Sequence, residues 1–447
     1  MSKTFRAYDM NQQLLLPPDL RQWLRDDHLA LYVSDVVEAL DLSAFLNSYE
    51  EGDSRGRPPY HPALMVKLLV YGYCTGRMSS RKLEQATYDD VAFRVLCCDQ
   101  HPDHDSIAAF RKRHLAALGQ LFVQVLQLCQ RAGLVKLGHV AVDSTKIKAN
   151  AAKSESLRYG SLEATTQALE AEVVRLLTAA QRLDDEEDTL YGAGQRGDEL
   201  PEELRRRETR LAKIRQLKAE MEREAQQAVE QEQQQKASGE PQHYRRRRWQ
   251  KNEQGKVVPK DKTRRNLTDP ESRLMMDLST NSYQQAYSTQ IAVDAAAQII
   301  VGTRVTSAPN DQEQLIPTVL EVEKNLGQLP ATVSADAGYF SSAVITSDVL
   351  RTIDLYVPPN EPEPSVPPEP TGVRAQMWQK LISAPGREIY NRRATIVEPV
   401  FAYIKHVRKF RQFLLRGLAA VEGEWWLICL THNLMKLFRA TRLLQPT

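Results

Sequence analysis

Three acids in this 447-residue chain stand where metal-assisted cutting of a phosphodiester would need them: Asp143, Asp336 and Glu398. Asp143 closes the alternating run from His139 and is followed by Ser144, Thr145 and Lys146. Asp336 closes the run from Ala331 and is followed by Ala337, Gly338 and Tyr339. Glu398 sits among apolar neighbours, Ile396 to Phe401, just before or within a predicted helix. Cutting DNA or RNA without a protein nucleophile requires one hydroxyl to be activated and one leaving oxygen to be stabilised. Two divalent ions about 4 Å apart do both, and Mg²⁺ prefers carboxylate oxygens and water. Clustered carboxylates repel, so three stay ionised together only around a cation. A lone aspartate at a strand end usually serves a turn or a cap. The reading therefore rests on three acids expected to converge on one crevice beyond the strand ends.

Cations surround the third acid. Lys405 follows Glu398 by seven residues, two helical turns, which predicts nearly the same helix face. Arg408 and Arg411 extend that stripe, and Arg387, Arg392, Arg393, Lys409 and Arg416 flank it. Such a stripe is either a solvated helix face or a track for a phosphate chain. A second basic segment, Tyr244 to Arg265, holds ten Lys/Arg against Glu253 and Asp261. Within it Arg245, Arg246, Arg247 and Arg248 precede Trp249, an aromatic that could wedge or stack on DNA if exposed. A segment this charged is disordered or is ordered by a polyanion. A third group, Arg111, Lys112, Arg113 and His114, lies near the start of a predicted N-terminal helix.

The elements that must position these residues follow from periodicity. Residues 1–130 read as all-α, with helices over 63–73, 79–96 and 105–129, an order that suits a helix-turn-helix-like DNA reader or a bundle that only packs. From Gly138 the texture becomes mixed. The expected order is a strand to Asp143, a hairpin (287–293 and 298–307), a helix (312–326), a strand to Ala335, a helix (341–350) and a strand at 354–357. Helices over 398–413 and 423–443 follow. This is an α/β order, a mixed sheet with helices on its faces. An insertion over 152–266 interrupts it. Leu169, Val173, Leu176, Ala180 and Leu183 form one coiled-coil-like stripe, and Leu204, Leu211, Ile214, Leu217 and Met221 a second. Glycines at 192, 194 and 197 and Pro201 lie between, so an antiparallel hairpin is expected.

Composition adds bounds. Lys plus Arg is 59 and Asp plus Glu is 57, so the formal net charge of +2 decides nothing, whereas its uneven distribution does. The five cysteines form no CxxC pair, which disfavours a zinc site or a disulfide framework and predicts buried thiols. The first residues have no apolar signal-peptide core, and no run of about 18 apolar residues occurs. A cytoplasmic, nucleoid-associated protein is expected.

The same residues carry a resemblance. Ala141–Lys146, Val333–Tyr339 and Tyr390–Arg393 leading to Val397–Phe401 and Lys405 resemble the three signature blocks of bacterial insertion-sequence transposases of the DDE class. Asp269–Met275, Gln290–Asp294, Glu424–Asn433, His61–Leu69 and Asp103–Ile107 are similar to further blocks of one branch of that class. The resemblance implies a ribonuclease-H-like mixed-sheet catalytic domain (131–447), interrupted by the helical insertion and preceded by the all-α domain (1–130). It implies Asp143, Asp336 and Glu398 as ligands of two Mg²⁺ or Mn²⁺ ions, double-stranded DNA as partner, and a homodimer in the DNA complex. It implies hydrolysis at the element's inverted terminal repeats, then attack of the freed 3′-hydroxyl on target DNA. By position, Tyr390, Arg393 and Lys405 match residues that contact DNA. One departure is that Tyr and Arg stand eight and five residues before the Glu here, against seven and four in the wider class.

Two other functions stay open on residues alone: a repurposed, repressor-like DNA-binding protein, and a metal-dependent nuclease without strand transfer. His139 reads as structural, Asp294 as a turn residue, and Trp425 and Trp426 as core.

Overall fold

Alternation over 139–148 and 287–306 produces the sheet expected there. The computed structural model describes residues 19–49, 58–191, 202–237, 249–277, 281–359 and 371–443, without the side chains of 179–191, 202–204 and 235–237. Ala180, Leu183 and Leu204 of the two stripes, the residues between the hairpin helices, and Arg245–Arg248 lie outside what is described.

The described strands are β1 (His139–Lys148), β2 (Ser156–Arg158), β3 (Trp249–Lys251), β4 (Val257–Pro259), β5 (Arg264–Asn266), β6 (Arg273–Asp277), β7 (Ser282–Asp294), β8 (Ile299–Thr306), β9 (Thr332–Ala335) and β10 (Asp354–Tyr356). The main sheet runs β10-β9-β1-β7, and β7 pairs with both β6 and β8. The first half of β7 takes β6 and the second half takes β8, both antiparallel. β1 is antiparallel to β7 but parallel to β9, and β9 is parallel to β10. The fold is thus mixed α/β, as expected.

β1 does not stop at Asp143. Its pairing with β7 continues to Lys148, while its pairing with β9 ends at Val142–Ala335. Asp143 therefore stands where the sheet splits, not at a strand terminus. The hairpin turn is built by Asp294, whose oxygens accept the N–H groups of Ala296 (2.9 Å) and Leu137 (2.7 Å). His139 bonds Ser334 across β1–β9 at 2.8 Å, a structural role as expected.

Capping fixes the N-terminal helices. His61 Nδ1 accepts from Ala63 N and Pro62 opens the helix Pro62–Cys74, which is buried nearly all round. The expected helix over 79–96 is two, Ser80–Asp89 and Val91–Leu96, because Asp90 turns extended and caps the second. The expected helix over 105–129 is likewise two, His104–Arg113 and Leu115–Arg131, with the break at His114. The C-terminal helix Leu418–Leu443 lies between Leu115–Arg131, Pro62–Cys74 and β8. One continuous core therefore runs from Ala30 in the first helix to Leu437 in the last. Trp425 is fully buried in it, with its indole N–H on Thr303 Oγ1 at 2.6 Å, and Trp426 is half-buried.

The insertion has a core of its own. Helices Tyr159–Tyr191 and Glu202–Ala237 pack together, burying Leu162, Ile214, Leu217 and Met221. The described residues of the basic segment, from Trp249 onward, pack on this hairpin. β3 and β4 form a ribbon against the second helix, Lys256 pairs with Glu222 at 2.5 Å, and Arg265 pairs with Glu224. The helix expected over 341–350 is reduced to short turns, because Ser347 re-enters extended backbone and interrupts it.

The helix that carries the third acid begins earlier than the sequence suggests, at Ala384, and runs to Ala402. Its first turn is packed tightly. A Cβ on Gly386 would lie 1.9 Å from Lys380 O and 2.8 Å from Ser383 Oγ. Gly386→Ala is expected to destabilise the fold by about 1–3 kcal/mol through overpacking, read as a lower denaturation midpoint. An unchanged midpoint would mean that the preceding helix gives way freely.

Candidate active site

Asp143 and Asp336 are each one residue beyond the last paired positions of adjacent parallel strands, Val142 and Ala335. Strand neighbours sit about 4.8 Å apart, so the two side chains enter one crevice. Burial pushes the Asp143 carboxyl up to about 6, with Asp336 adding to the rise and Arg393 opposing it. Burial also raises Asp336, and the Asp311 carboxylate beside it adds to the effect. Backbone N–H groups hold both: Ser144 N donates to Asp143 Oδ1 at 2.7 Å, and Gly338 N to Asp336 Oδ1 at 3.0 Å.

The helix Ala384–Ala402 crosses the sheet above this crevice. Arg393 Nη1 reaches Asp143 Oδ2 at 2.9 Å, and both side chains are below 20% exposed, 16% and 17%. The guanidinium carbon also lies 5.8 Å from the Tyr390 ring centre. Pro399 sits inside the helix and cannot donate to the Thr395 carbonyl. The Gln298 amide supplies that missing donor at 3.0 Å. Beyond Ala402 the chain widens into a π turn, Tyr403–Val407, as helices do at functional irregularities. This turn carries Lys405, whose ammonium donates to Thr145 Oγ1 on β1 and whose proton affinity burial lowers. The backbone then leaves helical geometry, with Lys409 at φ 59°, so the helix expected to reach Phe413 ends early.

Glu398 is exposed, although it shares the helix with Arg393. Five residues at 100° each place it about 140° round the axis from Arg393. Thus Asp143, Asp336, Arg393 and Lys405 gather around β1, while Glu398 stands on the outer side of the same helix. Among the described residues no group of three or more His, Cys, Asp and Glu is arranged to hold an ion. The Asp143–Asp336 pair nonetheless fits a hard cation. Both donors are carboxylate oxygens, and both gain proton affinity from burial, which a divalent ion would relieve. Beside the pair opens a cavity of about 690 Å³, lined by Asp336, Trp378, Arg387, Tyr390, Asn391 and Arg393 among others.

Asp311 completes the site and was not foreseen. It follows Pro309 and Asn310 beyond β8, and such an acid reads as a turn residue. Its side chain is only 12% exposed and accepts from Ser144, Ser288 and Gln290.

Three DNA-binding expectations are corrected. Arg111 is 3% exposed and donates to Tyr73 OH and Met78 O, so only Lys112 and Arg113 of its group face outward. Arg408 is also 3% exposed, spent on Thr431 Oγ1 (2.5 Å) and Ile428 O (3.1 Å), because the early helix end turns it inward. Trp249 is half-buried with its indole N–H on Glu232 at 3.1 Å, which leaves it no free wedge to insert.

Comparison with known families bears on this geometry. The family model described as "Transposase domain (DUF772)" matches residues 18–113, and the one described as "Transposase DDE domain" matches residues 363–438. The second match covers Tyr390, Arg393, Glu398 and Lys405. No curated protein and no solved structure matches the chain. A DDE domain implies a ribonuclease-H-like fold, divalent-metal dependence and DNA as partner, and no helix among the described residues is long and apolar enough to cross a membrane. With a transposase domain and a transposase DDE domain matched in order, and two aspartates converging beneath an arginine of the second, the chain is a DNA transposase with a DDE domain.

Proposed function

We propose that this transposase binds the inverted terminal repeats of its element, hydrolyses DNA at the element ends and joins the freed 3′-hydroxyls to target DNA. The observation that carries the reading is the placement of Asp143 and Asp336 side by side at the split between β1 and β9, with Arg393 upon Asp143. Two Mg²⁺ or Mn²⁺ ions held by Asp143, Asp336 and Glu398 would supply an activated hydroxyl and charge stabilisation for the leaving oxygen. Glu398 is assigned as third ligand from its place in the same signature block, and its outward position requires the helix Ala384–Ala402 to turn before it can reach the pair. Arg393 neutralises Asp143, and its planar fork equally suits a phosphate, so it can exchange one for the other when DNA arrives. Tyr390 and Arg393 then hold the DNA end in the adjoining cavity, and Lys405 supports β1 through Thr145.

The proposed division is an N-terminal DNA-binding and assembly domain (1–130), a catalytic domain (131–447) and its helical and basic insertion (152–266), acting as a homodimer on DNA. Lys112, Arg113 and Arg245–Arg248 remain proposed DNA contacts. A further surface supports the role of the insertion. A cleft of about 490 Å³ between the helix Glu202–Ala237 and the 267–270 segment is lined by Arg206, Arg210, Lys213 and Arg416, against the acids Glu220 and Glu155, the latter paired with Arg210 at 3.1 Å. Lys213→Ala and Arg416→Ala are each expected to weaken binding to all DNA sequences alike. Each should reduce the slope of log affinity against log salt by about one, read by fluorescence anisotropy. Unchanged slopes would place the DNA elsewhere.

The test of the function is incubation with DNA carrying the element's own ends and Mg²⁺. Nicked and joined products that vanish in Asp143→Ala are the expected result. End binding without cleavage would instead favour a repressor-like protein, and nicks without joined product a nuclease.

A further inference from the structure

We infer that Asp311 is a positioning residue that sets the spacing of Asp143 and Asp336 and so tunes their hold on a divalent cation; this rests on the transposase reading of that site. Asp311 is the hub of a hydrogen-bonded chain linking the two aspartates through the protein. On one side its Oδ2 accepts from Ser144 Oγ at 2.8 Å and from Lys146 Nζ at 3.4 Å, both on β1. Ser144 is the residue whose N–H holds Asp143 Oδ1. On the other side its Oδ1 accepts from Gln290 Nε2 at 2.7 Å and from Ser288 Oγ at 3.3 Å, both on β7. Gln290 passes the link onward, because its Oε1 accepts from Tyr339 OH. Tyr339 ends the short turn Ala337–Tyr339 that Asp336 caps. Gln290, Ser288 and Tyr339 are all fully buried, so this chain is not a surface accident.

Its geometry distinguishes it from a direct ligand. Both oxygens of Asp311 are already engaged by four donors, so releasing one to a metal would orphan buried groups. A neutral amide in its place could accept on one oxygen only and would turn an NH₂ against β1 or β7. Either end of the chain would then shift, and with it one of the two aspartates. Partners that orient metal-binding side chains in this way are typically worth about 10–100-fold in metal affinity or activity.

The test uses the full chain without DNA, with Mn²⁺ as the probe in titration calorimetry. Asp311→Asn is expected to bind Mn²⁺ about 10–100-fold more weakly than wild type, with its unfolding midpoint largely kept. Tyr339→Phe and Ser144→Ala each cut one link and should give smaller losses in the same direction. They also carry the test should Asp311→Asn fail to fold. The half-saturating Mg²⁺ for nicking of element ends should rise in the same order. Wild-type Mn²⁺ affinity in all three variants would overturn the inference and leave Asp311 a purely structural residue. Graded loss of Mn²⁺ binding in a protein that cuts no DNA would sustain the inference while sinking the transposition reading.

Discussion

Asp143→Asn is expected to lose DNA nicking and joining by about 10³-fold or more while keeping end binding and gaining stability at pH 8. The catalytic loss follows from removing one of the three carboxylates that would hold the ions. Metal charge stabilisation is worth several kcal/mol, at about 1.4 kcal/mol per tenfold in rate. The stability gain follows from the buried carboxyl. Its proton affinity is raised from 3.8 to about 6, so the native state binds the proton more tightly than the unfolded chain does. Ionised Asp143 therefore costs the fold stability. That cost is absent below about pH 4, grows between pH 4 and 6, and is complete above pH 6, where it amounts to about 3 kcal/mol. The neutral amide avoids it. Denaturation midpoints of the two proteins should coincide near pH 4 and separate by pH 8, with the variant the more stable. Adding Mg²⁺ should close the gap, because it stabilises only the protein that binds it. A wild type more stable than the variant at pH 8 without metal would show that the Arg393 pair outweighs burial.

Glu424→Ala is expected to destabilise the whole protein by about 3–5 kcal/mol, the typical result of removing one partner from a buried charged network. Glu424 lies fully buried in the C-terminal helix. Its Oε1 accepts from Tyr73 OH at 3.1 Å, and its Oε2 accepts the N–H groups of Leu414 (2.9 Å) and Leu415 (3.1 Å). Arg111, in the N-terminal helices, donates to the same Tyr73 OH at 2.8 Å and to Met78 O at 3.0 Å. Truncation would strand a buried guanidinium, a tyrosine hydroxyl and two backbone donors together. Replacing both charges, as in Arg111→Met with Glu424→Leu, should cost less than either single change, because no uncompensated charge remains. Urea denaturation of the three variants decides it. A double variant as unstable as the sum of the singles would mean that the two charges act independently.

Because this network ties residues 351 positions apart, the N-terminal helices and the C-terminal helix should unfold together. That coupling was invisible in the sequence, where Arg111 stands beside Lys112 and Arg113 and reads as one of three phosphate contacts. A basic residue is exposed by default, and only its partners reveal otherwise. Arg408 misled for the same reason, since the helix carrying it ends early at a π turn that no periodicity announces.

Local order was legible in the chain alone. Alternating apolar residues placed β1, β7, β8 and β9, because a strand's period is set by its own backbone, and put Asp336 just past the end of β9, whereas the continuation of β1 beyond Asp143 appeared only in its pairing with β7. The signature around Tyr390, Arg393, Glu398 and Lys405 likewise needed no fold to be read, and the transposase DDE domain match falls on it. The tertiary structure alone decided which groups meet. Asp311 reaches Ser144 across 167 residues, and Arg393 reaches Asp143 across 250. Such pairings depend on strand order and helix crossing, which side-chain spacing does not encode. The side of its helix on which Glu398 stands is set the same way, by the helix start at Ala384 and by Arg393 already facing Asp143.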